Sequence, residues 1–251
     1  MSDAFFSFKC GHSTKCEYIK PSTSKTQSFT LVYAHGFCSD PYGRKPEEIK
    51  KWCIENGMGF FRYEIAGHGT DSAKFEETTI NTYKNQIFEI VNDIVEGDVV
   101  LAGSSLGGWL GLLAAIHFPD KLKGFLGLAA APDFLKKYFE NYFKPEHLQI
   151  LNRDGKITFP TNDFTYVITK EMIESAEENL LLDKDVIPFS GKVRLIQGMK
   201  DASLEWQTAP LIAQKIASDD VKVILLKNSN HRLGADEDLL EIRRNLDDFL
   251  L

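Results

Sequence analysis

A chain of 251 residues, 43% hydrophobic and 26% charged, has enough apolar mass for one substantial core, and α/β proteins of this length are commonly a single domain. Its 36 acidic residues against 29 Lys and Arg give a formal charge of -7, which repels a phosphate backbone; with no dense basic block, nucleic-acid binding is excluded. Four cysteines are too few at this length to imply a disulfide framework.

Met1 to Lys9 has no basic segment followed by a long apolar run, so no secretory leader is expected and the protein is read as cytoplasmic. Ala4 to Cys10 and Lys15 to Lys20 read as extended segments forming an antiparallel N-terminal edge. Between them, Cys10, His12 and Cys16 offer three zinc ligands where a structural site needs four, so no metal is expected. Phe29 to His35 is a continuous apolar strand, followed by the loop His35-Gly36-Phe37-Cys38-Ser39-Asp40. Pro46 to Asn56 carries Ile49, Trp52 and Cys53 at helical spacing, and Gly57 supplies the stop.

Met58 to Glu64 is the next strand, and Ala66 to Ser72 is a loop whose His68 is read as structural. Ile80 to Val95 places Ile80, Tyr83, Ile87, Ile90, Val91 and Ile94 on one helical face. Val99 to Pro119 is uncharged and long enough to cross a bilayer, but a short strand, a glycine turn and a buried helix over Ser105 to Phe118 explain it better. No membrane insertion is expected. Leu122 to Ala130, Lys192 to Gln197 and Val221 to Lys227 are further strands, with helices over Trp206 to Ala217 and Asp236 to Leu251. Strands that read as continuous apolar runs, alternating with helices, predict a mainly parallel α/β sheet covered on both faces. Asp133 to Ser190 interrupts this rhythm and is too long for a loop. Its helical patterns at Asp133 to Tyr142 and Lys170 to Leu182 predict an inserted helical cap within one domain. The chain has no heptad pattern, so a monomer is expected.

The strongest chemical signal is Gly103-Ser104-Ser105-Leu106-Gly107. It matches G-x-S-x-G with a strand entering and a helix leaving, the setting in which a sharp turn lifts a serine above a sheet. A serine hydroxyl needs a base to become a nucleophile. In this setting the order is serine, acid, histidine. His231 follows the last strand, at the sheet end where ligands bind. Asp201 follows the strand Lys192 to Gln197 and would fix the tautomer of His231. Asp133 and Glu205 are the fallback acids. The N–H groups of Leu106 and Phe37 are the expected oxyanion donors, with Gly36 allowing the turn that aims the second.

These residues resemble the α/β-hydrolase superfamily. The likeness rests on His35-Gly36-Phe37, Arg62-Tyr63-Glu64, Gly67-His68-Gly69 and Gly103 to Trp109. Ala129 to Phe134, Arg194 to Asp201, Trp206-Gln207-Thr208 and Asn230 to Leu233 are similar to one subfamily. That subfamily contains mitochondrial acyl-glucuronide esterases and palmitoyl-protein thioesterases with their bacterial relatives. The resemblance implies an α/β-hydrolase fold and a cofactor-free serine hydrolase acting on small-molecule esters or thioesters. It implies a triad of Ser105, Asp201 and His231. Gly36, Trp109, Phe134 and Trp206, with Tyr138 and Phe139 from the insertion, are the expected substrate-binding residues. Two rival readings remain: hydrolysis of an amide or C–C bond by the same residues, and a non-catalytic ligand-binding fold.

Overall fold

The computed structural model describes residues 4–22, 28–137, 143–160 and 165–250. In chain order the elements begin with β1 (Ala4–Ser7), β2 (Ser13–Ile19), β3 (Phe29–Ala34), α1 (Arg44–Asn56) and β4 (Gly59–Tyr63). They continue with α2 (Ile80–Glu89), β5 (Asp98–Ser104), α3 (Leu106–His117), β6 (Leu122–Leu128), α4 (Pro145–Asp154), β7 (Lys156–Pro160) and β8 (Thr165–Thr169). The last are α5 (Lys170–Glu177), β9 (Lys192–Gly198), α6 (Thr208–Lys215), β10 (Val221–Leu226) and α7 (Asp236–Asp247).

Eight strands form one sheet in the order β1-β2-β4-β3-β5-β6-β9-β10. From β4 to β10 every pairing is parallel, while β2 runs antiparallel to both β1 and β4. The central strands are apolar along their whole length because helices cover both faces: all residues of β3 and β4 are buried. One core layer, with Leu31, Tyr33, Ile49, Trp52 and Ile242, lies under α1 and α7. The other, with Val32, Leu101, Trp109, Ile87 and Phe125, lies under α2 and α3. This is the α/β-hydrolase fold, as expected.

The element ends follow local chemistry. Gly57 closes α1 in the left-handed conformation at φ 68°, with its N–H on the Cys53 and Ile54 carbonyls. Thr79 caps α2 by accepting the Thr82 N–H at 3.2 Å. Beyond Glu89, Ile90–Ile94 continues as a wider π turn that ends the expected Ile80 to Val95 helix. The uncharged Val99 to Pro119 segment is divided between β5, the turn at Ser105 and the 12 residues of α3. A helix of that length spans about 18 Å, short of the roughly 30 Å hydrocarbon core. Among the described residues no helix is long and apolar enough to cross a membrane.

The insertion between β6 and β9 is not purely helical. Alongside α4 and α5 it holds the antiparallel pair β7–β8, with Ile157 opposite Ile168. The expected cap is helical, yet Thr165-Tyr166-Val167-Ile168-Thr169 is a run of β-branched and aromatic residues that favours a strand. Ile157 and Ile168 are both buried in the main core, which anchors the pair to the domain. Much of the expected helix Asp133 to Tyr142, including Tyr138 and Phe139, lies outside the described residues.

Candidate active site

The chain leaves β3 toward one side of the sheet and β5 toward the other. These two strands are neighbours, so a crevice opens at their carboxyl ends. Ser105 stands at the end of β5 with φ 54° and ψ -116°, a conformation costly for a residue with a Cβ. The surroundings hold it there. Its N–H donates to the Leu128 carbonyl at 3.1 Å, and its carbonyl accepts from Gly108 at 2.9 Å and Ala131 at 3.1 Å.

The flanking glycines are explained by close approach. A Cβ on Gly103 would lie 2.2 Å from the Gly107 carbonyl oxygen, and one on Gly107 would lie 2.1 Å from that of Ala34. The turn fits only if β5, α3 and the end of β3 meet without side chains between them. Cys38, Ala129, Asp133 and Leu233 also have positive φ, and each lies in a loop leaving the same end of the sheet. Backbone strain is therefore concentrated around Ser105.

The loops after β9 and β10 are stitched together. Lys200 N–H donates to the Ser229 carbonyl at 2.9 Å, and Met199 N–H donates to Leu226 at 2.9 Å. A Cβ on Gly198 would lie 2.4 Å from the Ser229 carbonyl oxygen, so glycine lets these loops touch. The contact brings Asp201 to His231, with 2.6 Å between Oδ2 and Nδ1. The same carboxylate accepts the Ser203 and Leu204 N–H groups, each at 2.8 Å, and the Gln197 side-chain amide at 2.8 Å. Burial opposes ionisation of Asp201. The hydrogen bond and charge of His231, with the two backbone N–H groups, outweigh it and hold the carboxyl below the ordinary carboxylate value. Since Asp201 occupies Nδ1, Nε2 is the ring nitrogen left to act on a substrate.

Ser105 and His231 line one cavity of about 1360 Å³ at this end of the sheet. Gly36 closes over the serine: a Cβ there would sit 3.3 Å from Ser105 Cβ and 3.9 Å from Oγ. Among the described residues, neither Phe37 N–H nor Leu106 N–H has a hydrogen-bond acceptor. One wall is apolar, with Phe37, Phe134, Leu135, Tyr166 and Ile168. Phe37 stacks on Tyr166 at 5.6 Å between ring centroids and packs against Phe134 at 5.5 Å. Polar residues line other parts of the cavity, among them Lys45, Ser104, Asn228, Ser229 and Asp238.

Comparison with known proteins agrees with this architecture. Residues 30–123 match the Uncharacterised protein family (UPF0227). The mitochondrial palmitoyl-protein thioesterase ABHD10 of Bos taurus is 32% identical over 252 residues, covering 96% of this chain and 82% of the bovine protein. The chain belongs to the ABHD10 family of α/β-hydrolases. The solved structure of the mouse family member superposes with a TM-score of 0.88 at 29% identity, covering 100% of this chain and 98% of the mouse one. A putative hydrolase from Agrobacterium vitis S4 shares the fold, with a TM-score of 0.92 at 21% identity over 100% of this chain and 99% of its own.

In this ABHD10-family hydrolase two of the expected substrate-binding residues stand away from the cavity. Trp109 is fully buried in the core, where its indole N–H donates to the Asn179 carbonyl at 3.0 Å. It touches Phe134 edge-on at 6.0 Å and so backs the apolar wall instead of forming it. Trp206 is half-buried beside α6 and is not among the cavity-lining residues. Closeness to a motif does not fix where a large aromatic points, because a helix or loop turns side chains toward the core as readily as toward a cleft.

The fallback acids have other settings. Asp133 accepts the Leu181 N–H at 2.9 Å and the Leu182 N–H at 2.6 Å, tying the end of the insertion to the loop after β6. Burial raises its pKa, and those N–H groups offset only part of the rise. Glu205 is exposed and does not line the cavity. His68 accepts the Cys38 N–H at 3.0 Å, which fits a structural role. His12 faces Asp71 at 2.6 Å, and the Cys16 thiol turns to the Thr14 carbonyl at 3.7 Å.

Sequence reasoning missed Lys45. Its Nζ donates to Ser104 Oγ at 2.8 Å, one residue from Ser105. Burial pushes this ammonium down to about 8, although Asp238 and Asp201 favour its charge. A lysine before Pro46 at a helix start reads as solvated surface, and no spacing in the sequence pairs it with Ser104.

Proposed function

We propose that this protein hydrolyses carboxylic esters or thioesters through an acyl-enzyme on Ser105. The observation that carries the reading is His231, hydrogen-bonded to Asp201 and sharing a cavity with a serine on a strained strand-to-helix turn. His231 takes the hydroxyl proton through Nε2 as Oγ attacks the acyl carbon. Asp201 keeps the Nδ1 tautomer and stabilises the imidazolium. The negative charge on the carbonyl oxygen falls to the Phe37 and Leu106 N–H groups, which are free to donate. His231 then protonates the departing alcohol or thiol, and water repeats the sequence to release the acid. These steps need no metal or organic cofactor.

The apolar wall of Phe37, Phe134, Leu135, Tyr166 and Ile168 suits an acyl chain. Four of those side chains come from the Asp133 to Ser190 insertion, which supports its role as a cap over a single domain. The relatives' name, palmitoyl-protein thioesterase, favours a long-chain thioester. The reading takes the protein as a monomer. A cytoplasmic location rests on the sequence alone, and the family members compared are named mitochondrial.

The experiment is hydrolysis of p-nitrophenyl esters from acetyl to palmitoyl, and of palmitoyl-CoA, by the wild type and Ser105→Ala. Turnover lost in the variant, with fluorophosphonate labelling confined to the wild type, is expected. A folded wild type that neither turns over nor labels would overturn the reading in favour of a binding role. Amide or C–C cleavage is separated by labelling without ester turnover.

A further inference from the structure

Gln197 is the next-to-last residue of β9, and its side chain is fully buried. A primary amide brings two N–H donors and one acceptor into that position. Nε2 donates to Asp201 Oδ2 at 2.8 Å and makes a longer contact with the Gly198 carbonyl at 3.4 Å. Oε1 has no hydrogen-bond partner among the described residues. Charge decides this orientation, because the amide turned over would set Oε1 against the carboxylate oxygen.

Both oxygens of Asp201 are therefore occupied. Oδ1 accepts the Ser203 and Leu204 N–H groups, each at 2.8 Å, which ties the carboxylate to its own loop. Oδ2 accepts two donors, the Gln197 amide at 2.8 Å and His231 Nδ1 at 2.6 Å. The two donors differ in kind. The amide is neutral at every working pH and locked in the core. The imidazole is partly exposed and gains a charge in the proposed reaction. A donor on a carboxylate oxygen draws charge toward itself, so each weakens the hold of that oxygen on the other.

Resting on the proposed acyl-enzyme reaction, we infer that Gln197 is a positioning residue that limits the grip of Asp201 on the His231 imidazolium and so extends activity toward acid. With the amide in place, part of the charge of Oδ2 is spent on a donor that never changes state. The imidazolium is stabilised less, and His231 releases its proton to serve as a base in more acidic solution. With the amide gone, the charge of Oδ2 falls to His231 alone. Gln197 does not line the cavity, so it acts only through Asp201.

The test is the pH dependence of kcat/KM for p-nitrophenyl butyrate, with the wild type and Gln197→Met. Methionine is close to glutamine in volume and has no N–H to donate. The acidic limb reports the proton that blocks the base in the free enzyme. In the variant it should move upward by about 0.5–1 pH unit, the effect of one charge-assisted hydrogen bond on its neighbour. Gln197→Asn, whose amide is one methylene too short to reach Oδ2, carries the same expectation and serves if the Met variant does not fold. Each profile is scaled to its own plateau, so partial unfolding does not imitate the shift. The other charged groups around the cavity, Asp40, Arg44, Lys45, Arg232, Glu237 and Asp238, are common to all the proteins compared, so their influence cancels.

An acidic limb that stays in place or moves toward acid would overturn the inference. Lost stability or plateau rate with an unmoved limb would reduce Gln197 to a packing role. The imidazole protons of His231, assigned by their absence in His231→Asn, are also titrated by NMR in Ser105→Ala, with and without Gln197→Met. The same upward shift is expected there. If no ester is turned over, the hydrolase reading fails, and this titration still decides the part assigned to Gln197.

Discussion

The imidazole of His35 accepts the Ile65 N–H at Nε2, 2.9 Å away, and this fixes its tautomer. Nδ1 must then carry the proton, and it donates to the Gly36 carbonyl at 2.8 Å. Burial, with the adjacent His68, drives its pKa down to about 3, so the ring stays neutral across the working range. In a trans peptide the C=O and N–H point in opposite directions. Holding the Gly36 carbonyl therefore sets the direction of the Phe37 N–H, the expected oxyanion donor.

Replacing His35 by alanine is predicted to harm both folding and rate. Two buried backbone groups would lose their partner, at about 1–3 kcal/mol each. An oxyanion donor left free to turn would lower kcat by about 100-fold or more. Denaturant unfolding and ester kinetics measure the two effects. A variant destabilised with unchanged kcat would limit His35 to a structural role.

Asp201→Asn is predicted to keep the fold and lose about 10⁴-fold in kcat, because an amide can hold the ring in the wrong tautomer. Circular dichroism checks the fold, and single-turnover acylation checks the rate. Retention of more than a tenth of the activity would remove Asp201 from the acid's role.

The same carboxyl gives a pH prediction with a definite sign. Its folded value lies below the ordinary 3.8, so its contribution to stability is complete above the unfolded value and disappears as pH falls through the lower folded value. The stability difference between wild type and Asp201→Asn should be flat above about pH 5 and narrow in more acidic solution. Urea unfolding at several pH values would reveal a widening gap if the sign were wrong.

Gly103→Ala is predicted to be among the most damaging small substitutions in the chain. Its Cβ would press on the Gly107 carbonyl carbon at 2.5 Å and the Gly108 Cα at 2.6 Å, where only backbone can yield. A cost of about 1–3 kcal/mol or more follows from such overpacking. Soluble, fully stable protein that still reacts with a fluorophosphonate would contradict the turn described for Ser105.

Asp133→Ala separates support from chemistry. It would strip a buried carboxylate from the Leu181 and Leu182 N–H groups, costing roughly 1–3 kcal/mol and loosening the insertion. The midpoint of unfolding should fall while fluorophosphonate labelling of Ser105 persists. Loss of labelling at full stability would instead return Asp133 to candidacy as the acid.

The sequence by itself determined the sheet and the serine turn, because both are written in local pattern. Apolar runs such as Phe29 to Ala34 can be buried only between two helical layers, and the glycines around Ser105 mark contacts too close for any side chain. Chain order also singled out Asp201 and His231, which meet because β9 and β10 are neighbours. Tertiary structure alone decided which aromatic side chains face the cavity. Phe134 and Tyr166 line it while Trp109 and Trp206 do not, since orientation depends on how each element is packed and not on its proximity to a motif. It alone also decided that Lys45 reaches Ser104, a contact across 59 positions of sequence, made because α1 begins where β5 ends, at the same edge of the core. Local patterns record what each segment must bury, and long-range contacts arise only when the buried faces are assembled.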